Sequence, residues 1–387
     1  MPRIYLDNSA TTKISDDVKK AMINALEAYG NPSSFHKEGR EAKCLIENAR
    51  KSVAKLIEAK TDEIIFTSGG SESNNTALNI VTKIMHDNPE KKEAIVSAIE
   101  HPSILQSAKK LAATGVVVHY LPVDSKGRIL IDDFKKLLNS KTILVSIMLA
   151  NNELGVIQDI KEIAKLCHEN GALLHSDIVQ AAGKIDVNIN DLELDYASLS
   201  AHKICGPKGI GALFVREGAP YQSLILGGSQ EKGKRAGTYN TLAIIGFGQA
   251  AKDAKNSPQK YAADIAPIKQ KLRDNIIHQI PNAVINGDQV DTLPNILNVS
   301  FAGAEGESIL LALDYYGIAV STGSACASSS AKPSHVLMAT KADPELAHGS
   351  IRFSFSLENS SDEVAEVMKY LPRIIKNLRE ISTIGVK

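Results

Sequence analysis

Short apolar runs and stripes of helical period alternate along most of this chain. Residues 40–59 carry Ala42, Leu45, Ile46, Ala49, Val53, Leu56 and Ile57 at helical spacing, which predicts an amphipathic helix with Cys44 beside its apolar stripe. Beyond it, apolar runs at 63–67, 94–98, 116–120, 143–149, 172–176, 194–199 and 210–215 read as strands, mostly separated by helical or polar segments such as 73–85 and 159–170. That alternation predicts an α/β domain on a largely parallel sheet. After Gly246-Phe247-Gly248 the sequence turns Ala- and Lys-rich and helical over about 249–278, which suggests a domain link. The remainder mixes strand candidates 296–301, 318–321 and 351–356 with helices, the last over about 361–381, and reads as a smaller α+β domain. We expect a large domain over 15–248 and a small one formed by 1–14 and 249–387.

A chain of 387 residues has ample volume for two buried cores, and 43% hydrophobic with 23% charged residues is ordinary globular composition. Lys plus Arg equals Asp plus Glu at 44 each, so no long-range field marks the protein for nucleic acid or anionic lipid, and any partner must be recognised locally. Met1-Pro2-Arg3-Ile4-Tyr5-Leu6-Asp7 lacks the apolar run of a signal peptide, and no stretch of about 18 apolar residues follows, so the expected location is the cytoplasm, away from membranes. Cys44, Cys167, Cys205 and Cys326 are far apart, without the spacing of a disulfide scaffold or a zinc site, and we expect no bound metal.

In open α/β sheets, ligands bind beyond the carboxyl ends of the strands. The polar residues that follow the strand candidates are Thr67-Ser68-Gly69-Gly70-Ser71-Glu72-Ser73, Glu100-His101, Asn151-Asn152-Glu153, Asp177 and Ser200-Ala201-His202-Lys203. Five loops therefore converge on one expected site. The Gly- and Ser-rich loop opens a predicted helix, a geometry that holds a phosphate as well as it makes a simple turn. No nucleotide-binding motif accompanies it: G-x-x-x-x-G-K-[ST] is absent, and Gly209-Ile210-Gly211 lacks the spacing of a dinucleotide fingerprint. A lysine beside a phosphate cradle can form a Schiff base, and an aspartate against a pyridine nitrogen keeps the ring electron-accepting. Lys203 and Asp177 offer those two groups.

At this point the sequence resembles the cysteine desulfurases of the NifS/IscS type, in the class V aminotransferase family. The matching segments run through the whole chain, from Tyr5-Leu6-Asp7-Asn8-Ser9-Ala10-Thr11-Thr12 and Gly30-Asn31-Pro32-Ser33-Ser34, through Ser71-Glu72-Ser73-Asn74, Ser176-Asp177-Ile178-Val179-Gln180-Ala181 and Arg235-Ala236-Gly237-Thr238, to Ser321-Thr322-Gly323-Ser324-Ala325-Cys326 and His348-Gly349-Ser350-Ile351-Arg352-Phe353-Ser354. The resemblance implies an aspartate aminotransferase-like fold, pyridoxal 5'-phosphate as cofactor and L-cysteine as substrate, with sulfur leaving as a persulfide on Cys326. It implies Lys203 as the Schiff-base lysine and a proton carrier, Asp177 as partner of the pyridinium, Gln180 as donor to the ring's phenolic oxygen, and His101 as the stacked ring and an acid/base group. Gly70, Ser71, Ser200 and His202 would hold the phosphate, and Asn152 and Arg352 the substrate carboxylate. A homodimer is implied too, with Thr238 near the phosphate of the partner subunit's cofactor, and a sulfur-acceptor protein of iron–sulfur assembly or tRNA and cofactor thiolation.

Two positions depart from the family's usual pattern: Ile178 stands where alanine is usual and Lys232 where arginine is usual. A bulkier residue near the ring would alter packing there. The stretch Ser321–Ser330, almost wholly Gly, Ala, Ser, Thr and Cys, predicts a loop that moves during turnover, its length closer to the NifS/IscS type than to the shorter-looped SufS type. Transamination or selenocysteine cleavage on the same scaffold, and a non-catalytic protein that kept the fold, are the competing readings. The presence of Cys326 together with Lys203 and Asp177 favours desulfuration.

Overall fold

The computed structural model describes residues 3–322 and 333–381, so Cys326 and its neighbours lie outside the described residues. Among the described residues twelve strands are formed: β1 (Ile4–Tyr5), β2 (Ile64–Thr67), β3 (Glu93–Ser97), β4 (Val117–Leu121), β5 (Thr142–Ser146), β6 (Leu173–Asp177), β7 (Tyr196–Ser200), β8 (Gly211–Val215), β9 (Ala283–Asn286), β10 (Ile296–Phe301), β11 (Ile318–Ala319) and β12 (Ser350–Ser354). Seven make the central sheet, in the order β2-β8-β7-β6-β5-β3-β4. β8 runs against both of its neighbours and the other six strands are parallel. β5, β7 and β8 are buried along their whole length, as strands covered by helices on both faces must be. Parallel strands put their carboxyl ends on one edge, and the five polar loops lie there.

Smaller sheets complete the fold, β12-β10-β9 antiparallel and β1-β11 parallel. Their core is built from residues such as Leu272, Phe301, Leu313, Phe353 and Leu371, separate from the core of the central sheet. In β12, Ile351 and Phe353 face that core, and Arg352 between them turns to the opposite side, as alternation along a strand requires.

The region expected as one helical stretch over 249–278 is divided. Helix Thr241–Ala254 is followed, after Lys255-Asn256, by Ser257–Lys260, a π-turn over Tyr261–Ile265 and helix Ala266–Gln279; Pro258 sits in the opening turn where a missing N–H costs nothing, and Pro267 closely follows the π-turn. Gly246 and Gly248 lie inside the first of these helices and serve packing, not punctuation. Ala243, Ile244, Phe247, Ala250, Ala251 and Ala254 belong to the large core, and Tyr261 and Ile265 to the small one.

Helix Thr241–Ala254 packs on helix Lys37–Leu56, and a Cβ on Gly248 would stand 2.5 Å from both Cα and Cβ of Ala49. Gly248→Ala gains about 1 kcal/mol of helix propensity. Overpacking at a helix–helix contact costs about 1–3 kcal/mol, so the variant is expected to melt below the wild type, as thermal denaturation would show.

Candidate active site

The loops after β2, β3, β5, β6 and β7 surround a cavity of about 290 Å³, which is completed by the N-terminal segment and β12. Gly70, Ser71, His101, Asn152, Asp177, Gln180, Ser200, His202, Lys203 and Arg352 all line it. A larger hollow of about 900 Å³ lies between helix Lys37–Leu56 and the loop 229–239. The smaller cavity is the candidate, because it alone of the two joins a buried lysine, an aspartate and two histidines.

β7 ends at Ser200 and the chain turns through Ala201–Lys203, which delivers Lys203 to the cavity. Its Nζ donates to the carbonyl oxygens of Ser9 at 2.5 Å and Ala10 at 2.7 Å. Burial, and then the cations Arg352 and Lys184, push its amine down to about 8 against the opposing pull of Asp7 and Asp177. A larger fraction than in a solvated lysine is therefore the free, nucleophilic amine near neutral pH. His202 is pushed down to about 4 by burial and the neighbouring lysines, so its ring is neutral.

Asp177 closes β6. Its Oδ1 accepts the Val179 N–H at 3.0 Å and its Oδ2 accepts from Asn74 Nδ2 at 2.8 Å, which fixes the carboxylate plane. Gln180 donates to Ser9 O at 3.0 Å. His101 caps helix Pro102–Ala112, with its Nδ1 turned to Ser103.

Arg352 donates through Nη1 to the Asn152 carbonyl at 2.9 Å and pairs through Nη2 with Asp7 at 2.9 Å. Its Nε is buried without a partner among the described residues. An arginine held at both terminal nitrogens with an unsatisfied donor beside a cavity suits a planar anion. The main chain of Asn152, not its side chain, makes the contact to Arg352.

The start of helix Gly70–Asp87 supplies the anion cradle. Gly69 offers no side-chain cap to the helix's first N–H groups, and a Cβ on Gly70 would stand 3.1 Å from Val179 Cγ2 and 3.6 Å from Ser200 Cβ. Glycine keeps that space open for a ligand to approach the backbone. Together with the hydroxyls of Ser71 and Ser200, the amine of Lys203 and the carboxylate of Asp177, this set fits pyridoxal phosphate in kind: an anion site, an amine for the aldehyde and an acceptor for the ring N–H.

Two expected residues stand apart. Thr238 is exposed and lines a separate cleft of about 160 Å³ with Phe66, Thr67 and Ser68. Its loop is held by Glu231, whose carboxylate accepts from Arg50 at 2.6 and 2.7 Å and from the Phe66 N–H at 2.9 Å, and by Arg235, which forks onto Glu72 at 2.9 and 3.1 Å. Glu231 and Lys232 both take positive φ (48° and 56°), a conformation that non-glycine residues adopt only when such contacts hold it. Cys326 lies outside the described residues.

Neither departure from the family pattern disturbs the cavity. Ile178 is fully buried in the large core and does not line it, and Lys232 is exposed and bonds Asp62 at 2.7 Å. His175, which with Asp177 mimics a ligand pair, is satisfied by Ser146 at 2.8 Å and Ser198 at 3.0 Å.

Sequence reasoning passed over several residues that build the site. Ser9 and Ala10 act through carbonyls, which side-chain motifs do not show, and Asn74 and Ser103 link Asp177 to His101. Glu100 is fully buried, with Oε1 accepting the Met148 N–H at 2.7 Å and Oε2 without a partner among the described residues. Burial, reinforced by the charge of Asp177, raises its carboxyl well above the usual range. A raised carboxyl pKa stabilises the fold below the unfolded value near 4.5, and the contribution is lost as pH rises toward the folded value. Glu100→Gln, which stays neutral, is expected to melt higher than the wild type at pH 8 and equally near pH 4, as thermal melts across that range would show.

The comparisons with known proteins agree with this geometry. The family model described as Aminotransferase class-V matches residues 4–367. The chain is 47% identical over 380 residues to "Cysteine desulfurase IscS" of Dictyoglomus turgidum, covering 98% of this chain and 96% of that protein. It is 41% identical over 384 residues to "Cysteine desulfurase NifS" of Azotobacter vinelandii, covering 99% and 95%. Among solved structures, one titled "NIFS-LIKE PROTEIN" superposes with a TM-score of 0.91 at 38% identity, over 97% of this chain and all of that one.

Proposed function

Because the chain belongs to the class V aminotransferase family, and within it to the pyridoxal-phosphate-dependent cysteine desulfurases, we propose that the 290 Å³ cavity is where it takes sulfur from L-cysteine. The observation that carries this reading is the meeting of Lys203, Asp177, His101 and Arg352 around one space. Pyridoxal phosphate would be held by Lys203 through its aldehyde, by Asp177 and Gln180 at the ring's polar atoms, by His101 against its face, and by Gly70, Ser71, Ser200 and His202 at the phosphate. When bound, it supplies an electron sink that acidifies the substrate's α-carbon and loosens its carbon–sulfur bond.

The remaining work falls to the chain's own groups. Arg352 binds the carboxylate of L-cysteine with Asn152 beside it, and that grip orients the substrate sulfur. Lys203, its amine poised at about 8, takes and returns protons at Nζ. The thiolate of Cys326 attacks the substrate sulfur. An S–S bond forms on the enzyme as the carbon–sulfur bond breaks, and alanine leaves once its β-carbon has received a proton.

A homodimer in which Thr238 reaches the partner subunit's cofactor phosphate is supported by the exposure of Thr238 away from its own subunit's cavity. The persulfide passes to an acceptor protein of iron–sulfur assembly or thiolation. No helix of the described residues is long and apolar enough to cross a membrane, and Cys44, Cys167 and Cys205 are free thiols, in keeping with a cytoplasmic enzyme.

The test is to incubate the purified protein with L-cysteine and a thiol reductant and to measure alanine and sulfide. Equal amounts of both are expected. Formation of pyruvate or an amino-group transfer product in place of alanine would overturn the reading. Light scattering is expected to give a dimer, and a fully active monomer would remove the role of Thr238.

A further inference from the structure

The environment of His101 decides which of its nitrogens carries the proton. Asp177 can only accept at Oδ2, so Asn74 turns its amide nitrogen to it at 2.8 Å; the reversed amide would set oxygen against oxygen. The second hydrogen of the same Nδ2 points to Ser103 Oγ at 2.9 Å. Ser103 Oγ then accepts from Asn74, and its one hydrogen goes to His101 Nδ1 at 2.8 Å. The Ser103 backbone N–H also donates to Nδ1, at 3.2 Å. Two donors thus meet one ring nitrogen, and Nε2 is left for the cavity that His101 lines.

We propose that Asn74 and Ser103 are positioning residues that hold His101, in the resting enzyme, as a neutral imidazole protonated on Nε2, with that N–H presented to the cavity as a hydrogen-bond donor. The inference deepens the reading of this cavity as the cysteine desulfurase site and rests on it. A ring already protonated on Nε2 cannot accept a proton there. Gaining one on Nδ1 would force the Ser103 hydroxyl to turn away, strand its hydrogen among buried groups and set the Ser103 N–H against an N–H. The charged and titratable groups facing the ring are Asp177, which favours the imidazolium, and Lys203 and His335, which oppose it; burial opposes it as well. His335 is itself tied to the Glu100 carbonyl at 3.0 Å.

The test uses the cofactor-free full chain with ¹⁵N-labelled histidine, the His101 signals being assigned by their loss in His101→Gln. The expected result is a single neutral tautomer protonated on Nε2 between pH 6 and 8. Ser103→Ala removes one donor to Nδ1 and is expected to mix the tautomers and to raise the pH at which the ring protonates by about one unit. Ser103→Thr keeps the hydroxyl and is expected to restore the wild-type spectrum. In the loaded enzyme, Ser103→Ala is expected to lower kcat about tenfold with KM little changed. An Nδ1-protonated ring or an imidazolium at neutral pH in the wild type would overturn the proposal, as would unchanged His101 signals in Ser103→Ala. Because the spectrum does not depend on turnover, failure of the desulfurase reading and failure of this one are told apart.

Discussion

Lys203→Met is expected to retain the fold and to lose alanine formation from L-cysteine by on the order of 10⁴-fold. Methionine keeps the apolar volume of the lysine stem but removes both the group that binds the cofactor's aldehyde and the amine that moves protons. The loss is not one of stability. A buried lysine whose pKa is depressed from 10.5 to about 8 opposes folding at neutral pH, and that opposition fades as pH rises through 8 toward 10.5. The variant's melting temperature at pH 7 is therefore expected to equal or exceed the wild type's. Borohydride reduction of the wild type followed by peptide mapping is expected to leave the pyridoxyl group on Lys203, with the yield of cofactor loading rising through about pH 8 as the amine deprotonates. A label on another lysine, or an active Lys203→Met, would remove Lys203 from the mechanism.

Cys326→Ser is expected to bind cofactor and L-cysteine as the wild type does, while alanine and persulfide formation fall by at least about 10³-fold. A serine hydroxyl neither ionises at neutral pH nor forms a bond to sulfur that a second thiol can relieve, whereas a thiolate does both. The comparison that matters is between two readouts on one sample: the visible spectral change on adding L-cysteine, expected to persist, and the alanine released, expected to vanish. Near wild-type alanine release from this variant would mean that sulfur leaves without Cys326. Cys167 offers no substitute, because it is buried and burial pushes its thiol well above the usual range.

Both predictions concern residues that the order of the sequence already brings together. A parallel sheet places every strand's carboxyl end on one edge, so the polar residues after five apolar runs had to share a neighbourhood, and ten of the expected residues line the cavity. The helix break at Lys255-Asn256 was not legible, because an Ala- and Lys-rich sequence suits one long helix as well as two packed on different cores. Gly246 and Gly248 misled for a related reason: glycine marks a turn in one context and a close helix contact in another, and only the partner, here Ala49, distinguishes them. Ile178 leaves the cavity unaltered because the chain turns after Asp177 and sends the next side chain into the core. Ser103 carried one faint signal, its place just inside a helix that His101-Pro102 opens. Its hydroxyl matters only because Asn74, on another helix, turns toward it.

The segment Tyr5–Thr12 ties the two cores together. Thr12 bonds the His202 carbonyl, Ser9 and Ala10 receive the amine of Lys203, Asp7 pairs with Arg352, and Asn8 bonds the Ser354 carbonyl across a sequence separation of 346 residues. During synthesis these residues emerge long before their partners. At about 5–20 residues per second, the wait for β12 is on the order of 20–70 s. The large sheet has time to form in that interval, and the strap can already meet its lysine, but the arginine opposite is still missing. Assembly therefore runs in an enforced order, with the chemistry arriving last: a nascent or truncated chain without its final strand can be folded over most of its mass and still hold no competent site.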